Sequence, residues 1–281
     1  MAMAELRYQR PRWGIIELDG QEAGIFQVLE TGFCANMLHT VILDRGPLWF
    51  ENFGKIEHFQ LFMECFRKHY PRRPGRAVRV IPEMNASPEI DVIMKHFKFR
   101  KKSAPYQTLD IDLTLSPDNL RANLRKNWRT SLNKAEKAGL SVDWDTKGLH
   151  LDWLLKFYAF DQKTKGYKGP SVELIRALAD HFVPHGQMMI GRAKNQAHHV
   201  IAAILLFSHG RGSTYQIGWN SQEGRNLGAH NLLLWQALLC LKDRGVTHFD
   251  LGGVNDTEAQ NVKSFKQGMG GRLVTLAGLY T

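Results

Sequence analysis

Cysteine is scarce in this chain. The three present in 281 residues, Cys34, Cys65 and Cys240, are odd in number and far apart. Thiols so placed do not make a disulfide framework and point to a reducing compartment. Long apolar runs are missing as well. The longest, Val200 to Phe207, has eight residues, against the roughly 20 that span a bilayer. No apolar stretch follows the start, where Arg7, Arg10 and Arg12 interrupt the sequence, so no signal peptide is expected and the expected location is cytoplasmic. GxSxG, a Walker loop and HExxH are all absent, which disfavours elbow-type serine hydrolases and P-loop ATPases. His198-His199 and the pair His181 and His185 have ligand-like spacing, but no cysteine or acid lies at a supporting interval and Pro184 interrupts the second pair. No metal and no bound cofactor are therefore expected.

Acidic residues are the minority, 27 against 37 basic, for a formal net charge of +10. Such an excess favours polyanionic partners: nucleic acid, nucleotide-linked substrates or an anionic membrane face. With 43 % hydrophobic and 23 % charged residues the chain is globular in composition, and disorder is excluded.

Patterning predicts an α/β protein. Trp13–Leu18 and Gly24–Leu29 read as strands around the hairpin signal Asp19-Gly20, and Arg45-Gly46-Pro47 ends a third. Ile56, Phe59, Phe62, Met63 and Phe66 recur at helical spacing, which predicts a helix over Lys55–Tyr70. A strand at Ala77–Ile81, a helix from Pro88 to Phe97 and a strand at Gln107–Leu113 complete a first domain, 1–113. The second, 114–281, opens with Ser116-Pro117-Asp118, a cap, a first-turn proline and an acid at the positive end of the dipole. One helix is expected from there to Ala138, stopped by Gly139. A strand at Leu140–Trp144, helices at Leu149–Gln162 and Val172–Phe182, and three strands within Gln187–Trp219 follow. A helix over Leu227–Arg244, a strand at Thr247–Leu251, a short helix at Asn261–Gln267 and a strand at Arg272–Ala277 close the chain. The halves share a loose order of elements, compatible with a duplicated fold.

Three constellations carry candidate chemistry. From Leu120 to Ala138 six basic residues, including Arg125 and Arg129, face one acid, Glu136; this is half of the formal excess. It reads either as a solvated helix face or as a phosphate-binding one, for which the planar guanidinium is suited. Arg225-Asn226-Leu227-Gly228-Ala229-His230 is a glycine turn between a strand and a long helix, where outward backbone amides can hold an anion or a carbonyl. Phe249-Asp250-Leu251-Gly252-Gly253 and Phe265-Lys266-Gln267-Gly268-Met269-Gly270 place glycine turns on either side of a short helix. Lys266 there could stabilise a developing oxyanion, or could simply be a solvated lysine on a capping turn.

These residues also resemble a family. Arg129 to Gly139 is similar to the R-x-x-I-x-K-A-x-K-x-G helix of the Fem-type (FemABX) peptidyltransferases. Tyr215 to Trp219, Arg225 to Trp235, Phe249 to Gly253 and Phe265 to Gly270 resemble that family's other blocks, in the same order, with Met269 where an aromatic is usual. The likeness covers about Leu109 to Thr281, and the first hundred residues only in outline. It implies two tandem acetyltransferase-like (GNAT) domains and transfer of an amino acid from aminoacyl-tRNA to an amine of a UDP- or lipid-linked muramyl peptide, making the peptidoglycan cross-bridge without ATP or metal. By the same resemblance Lys266 meets the oxyanion, Arg129 the diphosphate of the precursor, and Tyr215 lines the substrate. The family's early tryptophan–lysine pair is absent, since Trp13 is followed by Gly14-Ile15-Ile16-Glu17, so a different acceptor stays open. Two alternatives remain. An acyl-CoA-dependent N-acyltransferase would use Arg225 and Gly228 for the CoA pyrophosphate. A non-catalytic RNA-binding protein would rely on Arg125 and Arg129. The basic surface also suits peripheral contact with an anionic membrane.

Overall fold

The structure is a computed structural model and describes residues 4, 8–167, 169–254 and 260–281. By backbone contacts the chain divides into two units: Met1–Gln107 with Thr275–Thr281, and Thr108–Val274. The architecture is mixed α/β, with two sheets. Among the described residues no helix is long and apolar enough to cross a membrane.

The first unit follows local sequence closely. Strands β1 (Arg10–Leu18) and β2 (Gln21–Phe33) form an antiparallel hairpin. Its two-residue turn, Asp19-Gly20, has φ of 51° and 77°, the left-handed pair that matches strand twist. Strand β3 (Leu38–Asp44) pairs with β2, and β5 (Arg76–Ile81) joins β3 in parallel after helix α1 (Ile56–His69). The short β4 (Leu48–Trp49) pairs with β2. Helix α2 (Pro88–His96) starts at the expected proline, and Ser87 Oγ, which accepts from Ile90 N at 3.3 Å, caps it. Phe59, Met63, Ile90 and Met94 from the helices pack on Val28, Val41, Leu43 and Val80 from the strands. The chain end completes this core. Tyr280 is 2 % exposed, its backbone bonds to Val80 in both directions at 2.9 Å, and its hydroxyl donates to Asp91 Oδ1 at 2.5 Å.

The second sheet has the order β12-β6-β11-β10-β9-β8-β7. Strand β6 is Tyr106–Asp112, β7 Ser141–Asp145, β8 Met188–Lys194, β9 Val200–His209, β10 Gly212–Asn220, β11 His248–Gly253 and β12 Arg272–Leu276. The unbroken apolar run lies in β9, and both of its faces are covered, as a continuous rather than alternating pattern requires. Ile204 and Leu206 join one core with Leu233, Leu234 and Leu238 of helix α8 (Ala229–Asp243). Ala203, Leu205 and Phe207 join another with Leu154, Leu155 and Tyr158 of α5 (Leu151–Lys165) and Ile175 of α6 (Val172–Phe182).

Two local expectations are corrected. The single helix expected from Ser116 to Ala138 is two, α3 (Pro117–Asn123) and α4 (Lys126–Lys137). Leu124 and Arg125 between them are extended, with ψ of 132° and 149°. The break is tertiary in origin. Arg125 N leaves the helical ladder to donate to Gly268 O at 2.9 Å, and Gly270 lies against Asn123, where a Cβ would sit 2.4 Å from the Asn123 carbonyl oxygen. The second correction is a short helix, α7 (Gln222–Leu227), where a turn was expected. Ser221 Oγ caps it through Gly224 N at 3.0 Å, and Gly228, at φ 72°, separates it from α8.

Candidate active site around Lys266

The site begins where two parallel strands stop pairing. β10 and β11 are in register at Gly212–His248, Ser213–Phe249 and Thr214–Asp250. Tyr215 follows in β10, at a register shift against β9 between Tyr215 and Ile217. In β11, Asp250 Oδ1 accepts from Gly252 N at 2.7 Å and also from the Thr108 hydroxyl. This fixes a turn with Gly252 at φ 72°, where a Cβ would lie 3.2 Å from Tyr215 O and 3.6 Å from Lys266 Nζ. Glycine suits the position for both reasons, the left-handed backbone and the close approach.

Lys266 lies in the last turn of helix α9 (Gln260–Gln267) and is buried, 8 % exposed. Its Nζ donates to Gly253 O at 3.0 Å and sits 5.6 Å from the centre of the Tyr215 ring. Loss of water pushes its pKa down to about 8, against the upward pull of the Asp250 carboxylate. A lysine with that pKa is still about nine-tenths protonated at pH 7. The result is a poorly hydrated ammonium carrying one backbone hydrogen bond, with donor capacity left for another oxygen.

Tyr215 and His230 complete the cluster. The Tyr215 hydroxyl is 3.4 Å from His230 Nε2, and His230 packs edge-on to Phe265 with ring centres 6.1 Å apart. Both side chains keep some exposure, yet protein atoms displace most of their water. Burial drives the His230 pKa down to about 4, helped by the positive charges of Arg225 and Lys165. It also raises that of Tyr215 well above its usual value. At neutral pH Tyr215 is therefore a neutral phenol and His230 a neutral imidazole beside the Lys266 ammonium. Gly218 leaves room for them, since a Cβ there would fall 2.2 Å from the Tyr215 hydroxyl and 2.6 Å from His230 Nε2.

Lys266 and Tyr215 are thus neighbours. Arg125 lies at the same loop through its backbone bond to Gly268, with its side chain exposed. Arg129 is exposed one turn further along α4. Arg121 is occupied elsewhere: it forms two hydrogen bonds to Glu136, at 2.8 and 2.7 Å, and lies 5.4 Å from the centre of the Trp235 ring. Arg225 donates to Asn220 O at 2.8 Å and to Gln222 Oε1 at 3.3 Å. Gly228 brings the α7–α8 corner onto α4, where a Cβ would lie 2.5 Å from Ser131 O. The sequence reading did not single out His230 or Asp250. Their properties come from burial and from a turn contact, and neither leaves a periodic signal. Among the described residues no group of three His, Cys, Asp or Glu is placed to hold a metal ion.

The sequence matches the model of the acetyltransferase (GNAT) domain over residues 122–266, a span that runs from the end of α3 to Lys266. The chain belongs to that family. No curated protein sequence matches it. Among solved structures, FemX superposes with a TM-score of 0.78 at 14 % identity, covering 99 % of this chain and 89 % of FemX. The C-terminal domain of a putative lysylphosphatidylglycerol synthetase from Agrobacterium fabrum gives 0.58 at 13 % identity, covering 99 % and 86 %. A tandem GNAT protein from the clavulanic acid biosynthesis pathway gives 0.53 at 12 % identity, again covering 99 % and 86 %. At such identities the likeness is one of fold, and this GNAT family member has the fold of FemX.

Proposed function

We propose that this protein is a Fem-type aminoacyltransferase. It moves an amino acid from aminoacyl-tRNA to an amine of a peptidoglycan precursor in the cytoplasm, and is built from two tandem GNAT-like domains. The observation that carries the reading is the buried Lys266 ammonium between the Gly253 carbonyl and the Tyr215 ring, beside the point where β10 and β11 cease to pair. The chain-wide likeness to FemX supports the choice of donor.

The chemistry follows from charge. An amine attacking the ester carbonyl of an aminoacyl-tRNA creates a tetrahedral oxyanion, and a preorganised cation in a water-poor site stabilises that state more than the neutral ester. Lys266 supplies the cation. The neutral phenol and imidazole of Tyr215 and His230 line the site without adding a competing charge, and His230 can accept a hydrogen bond from the attacking amine. Arg125 and Arg129, exposed at the start of α4, offer guanidinium groups to phosphates of the tRNA or of the nucleotide-linked acceptor.

A second reading, an acyl-CoA-dependent N-acyltransferase, is favoured by the GNAT domain match and would place the CoA pyrophosphate at Arg225 and Gly228. One donor screen separates the two. Purified protein is given labelled aminoacyl-tRNA pools or labelled acetyl-CoA, with a UDP-linked muramyl peptide as acceptor. The proposal expects label to move from tRNA alone; label moving from acetyl-CoA instead establishes the second reading.

A further inference from the structure

The first unit carries an exposed apolar cluster that the transfer chemistry leaves unexplained. β2 and β3 meet in a hairpin whose end presents Phe33, Met37 and Leu38, which are 63 %, 70 % and 59 % exposed. Phe33 and Leu38 are cross-strand partners, so their side chains share one face of the sheet. Met37 lies in the turn beside them. Single exposed apolar side chains are ordinary, but three large ones together at a hairpin end are the kind of patch that marks a contact surface.

The patch has a basic rim. From Cys65 to Pro82 the chain has no acid and six arginines or lysines, and from Thr31 to Thr40 the hairpin has no acid either. The loop from Pro71 to Arg76 is fastened onto the hairpin end. The Arg73 guanidinium donates to the carbonyl oxygens of Asn36 and Met37, and His39 N donates to Gly75 O at 2.8 Å. Gly75 allows the approach, since a Cβ there would lie 2.1 Å from Met37 O. Arg73 is thus held at the apolar tip, Arg76 donates to His39 Nδ1 at 3.2 Å and to Pro71 O at 3.0 Å, and Arg72 is exposed in the same loop. Lys68 is paired with Glu64 at 2.8 Å, and Arg67 is directed to Phe97 O at 3.0 Å and to the Phe99 ring rather than to the hairpin, so neither is counted in the rim.

We propose that this hairpin end docks on an anionic lipid bilayer, with Phe33, Met37 and Leu38 entering the headgroup–acyl boundary, Arg72 engaging lipid phosphates, and the anchored Arg73 and Arg76 adding positive charge behind the tip. A bilayer supplies at once the apolar interior that the tip matches and the negative surface that the rim matches. A nucleic acid would satisfy the arginines and leave the apolar trio in water. A second copy in a two-fold contact would set the arginine cluster against itself. The inference does not depend on which acyl donor the enzyme uses.

The test is co-sedimentation of the full chain with vesicles. One set is phosphatidylcholine alone, and the other is a two-to-one mixture of phosphatidylcholine and phosphatidylserine. The expected result is binding to the mixed vesicles only, weakened about tenfold or more in Phe33→Ser/Leu38→Ser, and also weakened in Arg72→Glu and by added salt. Because these side chains are exposed, the variants should melt with the parent. Three results would overturn the proposal: no binding to mixed vesicles, mixed-vesicle binding that is indifferent to Phe33→Ser/Leu38→Ser, or a parent dimer that this double variant converts to monomer. The second would make the rim a general polyanion surface of the kind RNA also fits, and the third would make the tip a self-association site.

Discussion

Among single residues, the decisive one is a lysine held where water is scarce. Lys266 has a folded-state pKa of about 8 against an ordinary value of 10.5. The native state thus disfavours its charge, a penalty of about 3 kcal/mol at neutral pH. The folded pKa is depressed, so that stability is present above pH 10.5 and is lost as pH falls to 8. Lys266→Met, which keeps the length and removes the charge, is accordingly expected to melt higher than the parent at pH 7, with the gap narrowing between pH 8 and 10.5. Thermal melts across that range check it. On the role proposed for Lys266, activity should run the other way, falling as pH rises through 8, because the ammonium proposed to stabilise the oxyanion then loses its proton. Asp250→Asn keeps an oxygen for Gly252 N and removes the carboxylate that raises the Lys266 pKa. It should shift the alkaline limb of the rate profile down by about one pH unit or less. A limb that stays in place would separate Asp250 from Lys266.

At the scale of elements, the site is held by contacts between segments remote in sequence. Gly228→Ala would drive a methyl group to 2.5 Å from Ser131 O at a residue with φ 72°. We expect it to destabilise the fold by about 1–3 kcal/mol in urea titration. If the glycine served only to leave an amide open for an anion, the titration would be unchanged. Leu124→Asp places a charge at a position 3 % exposed in the break between α3 and α4. It should cost several kcal/mol, on the order of a buried unpaired charge, by the same measurement.

These elements also show what the sequence can and cannot convey. Helix α1, the Asp19-Gly20 hairpin, the start of α2 at Pro88 and the Ser116 cap were legible because residues within a few positions of one another determine them. A strand at β9 was legible, and its unbroken apolar run fits the burial of both faces that the structure shows. The break at Leu124-Arg125 was not legible, because the bond that makes it is to Gly268, more than a hundred residues away. Short-range patterning instead favoured one continuous amphipathic helix. In the candidate site, Lys266 was singled out from its glycine turns and Tyr215 only through the family resemblance, and the fold brings the two together. The neutral imidazole of His230 could not be named, because its state is set by the protein atoms around it.

At the scale of the whole molecule, the chain end is part of the first unit. Tyr280 packs there with Phe59, Met63 and Met94, and Arg100 and Thr281 exchange backbone hydrogen bonds at 2.8 and 2.9 Å. Tyr280→Ala should cost about 3–5 kcal/mol, the usual range for removing a buried aromatic ring, as read by denaturant unfolding. The positive charge belongs to this scale too. Arg125→Ala/Arg129→Ala should raise the KM for a polyanionic donor or acceptor and flatten its salt dependence, while the melting temperature stays with the parent because both side chains are exposed.

In the proposed reaction a protonated Lys266 stabilises the oxyanion of acyl transfer. The most direct test is the transfer rate of Lys266→Met measured beside its melting temperature. The expected rate is at least about a hundredfold below that of the parent, in a protein at least as stable. A variant that transfers at the parent rate while folded would contradict it.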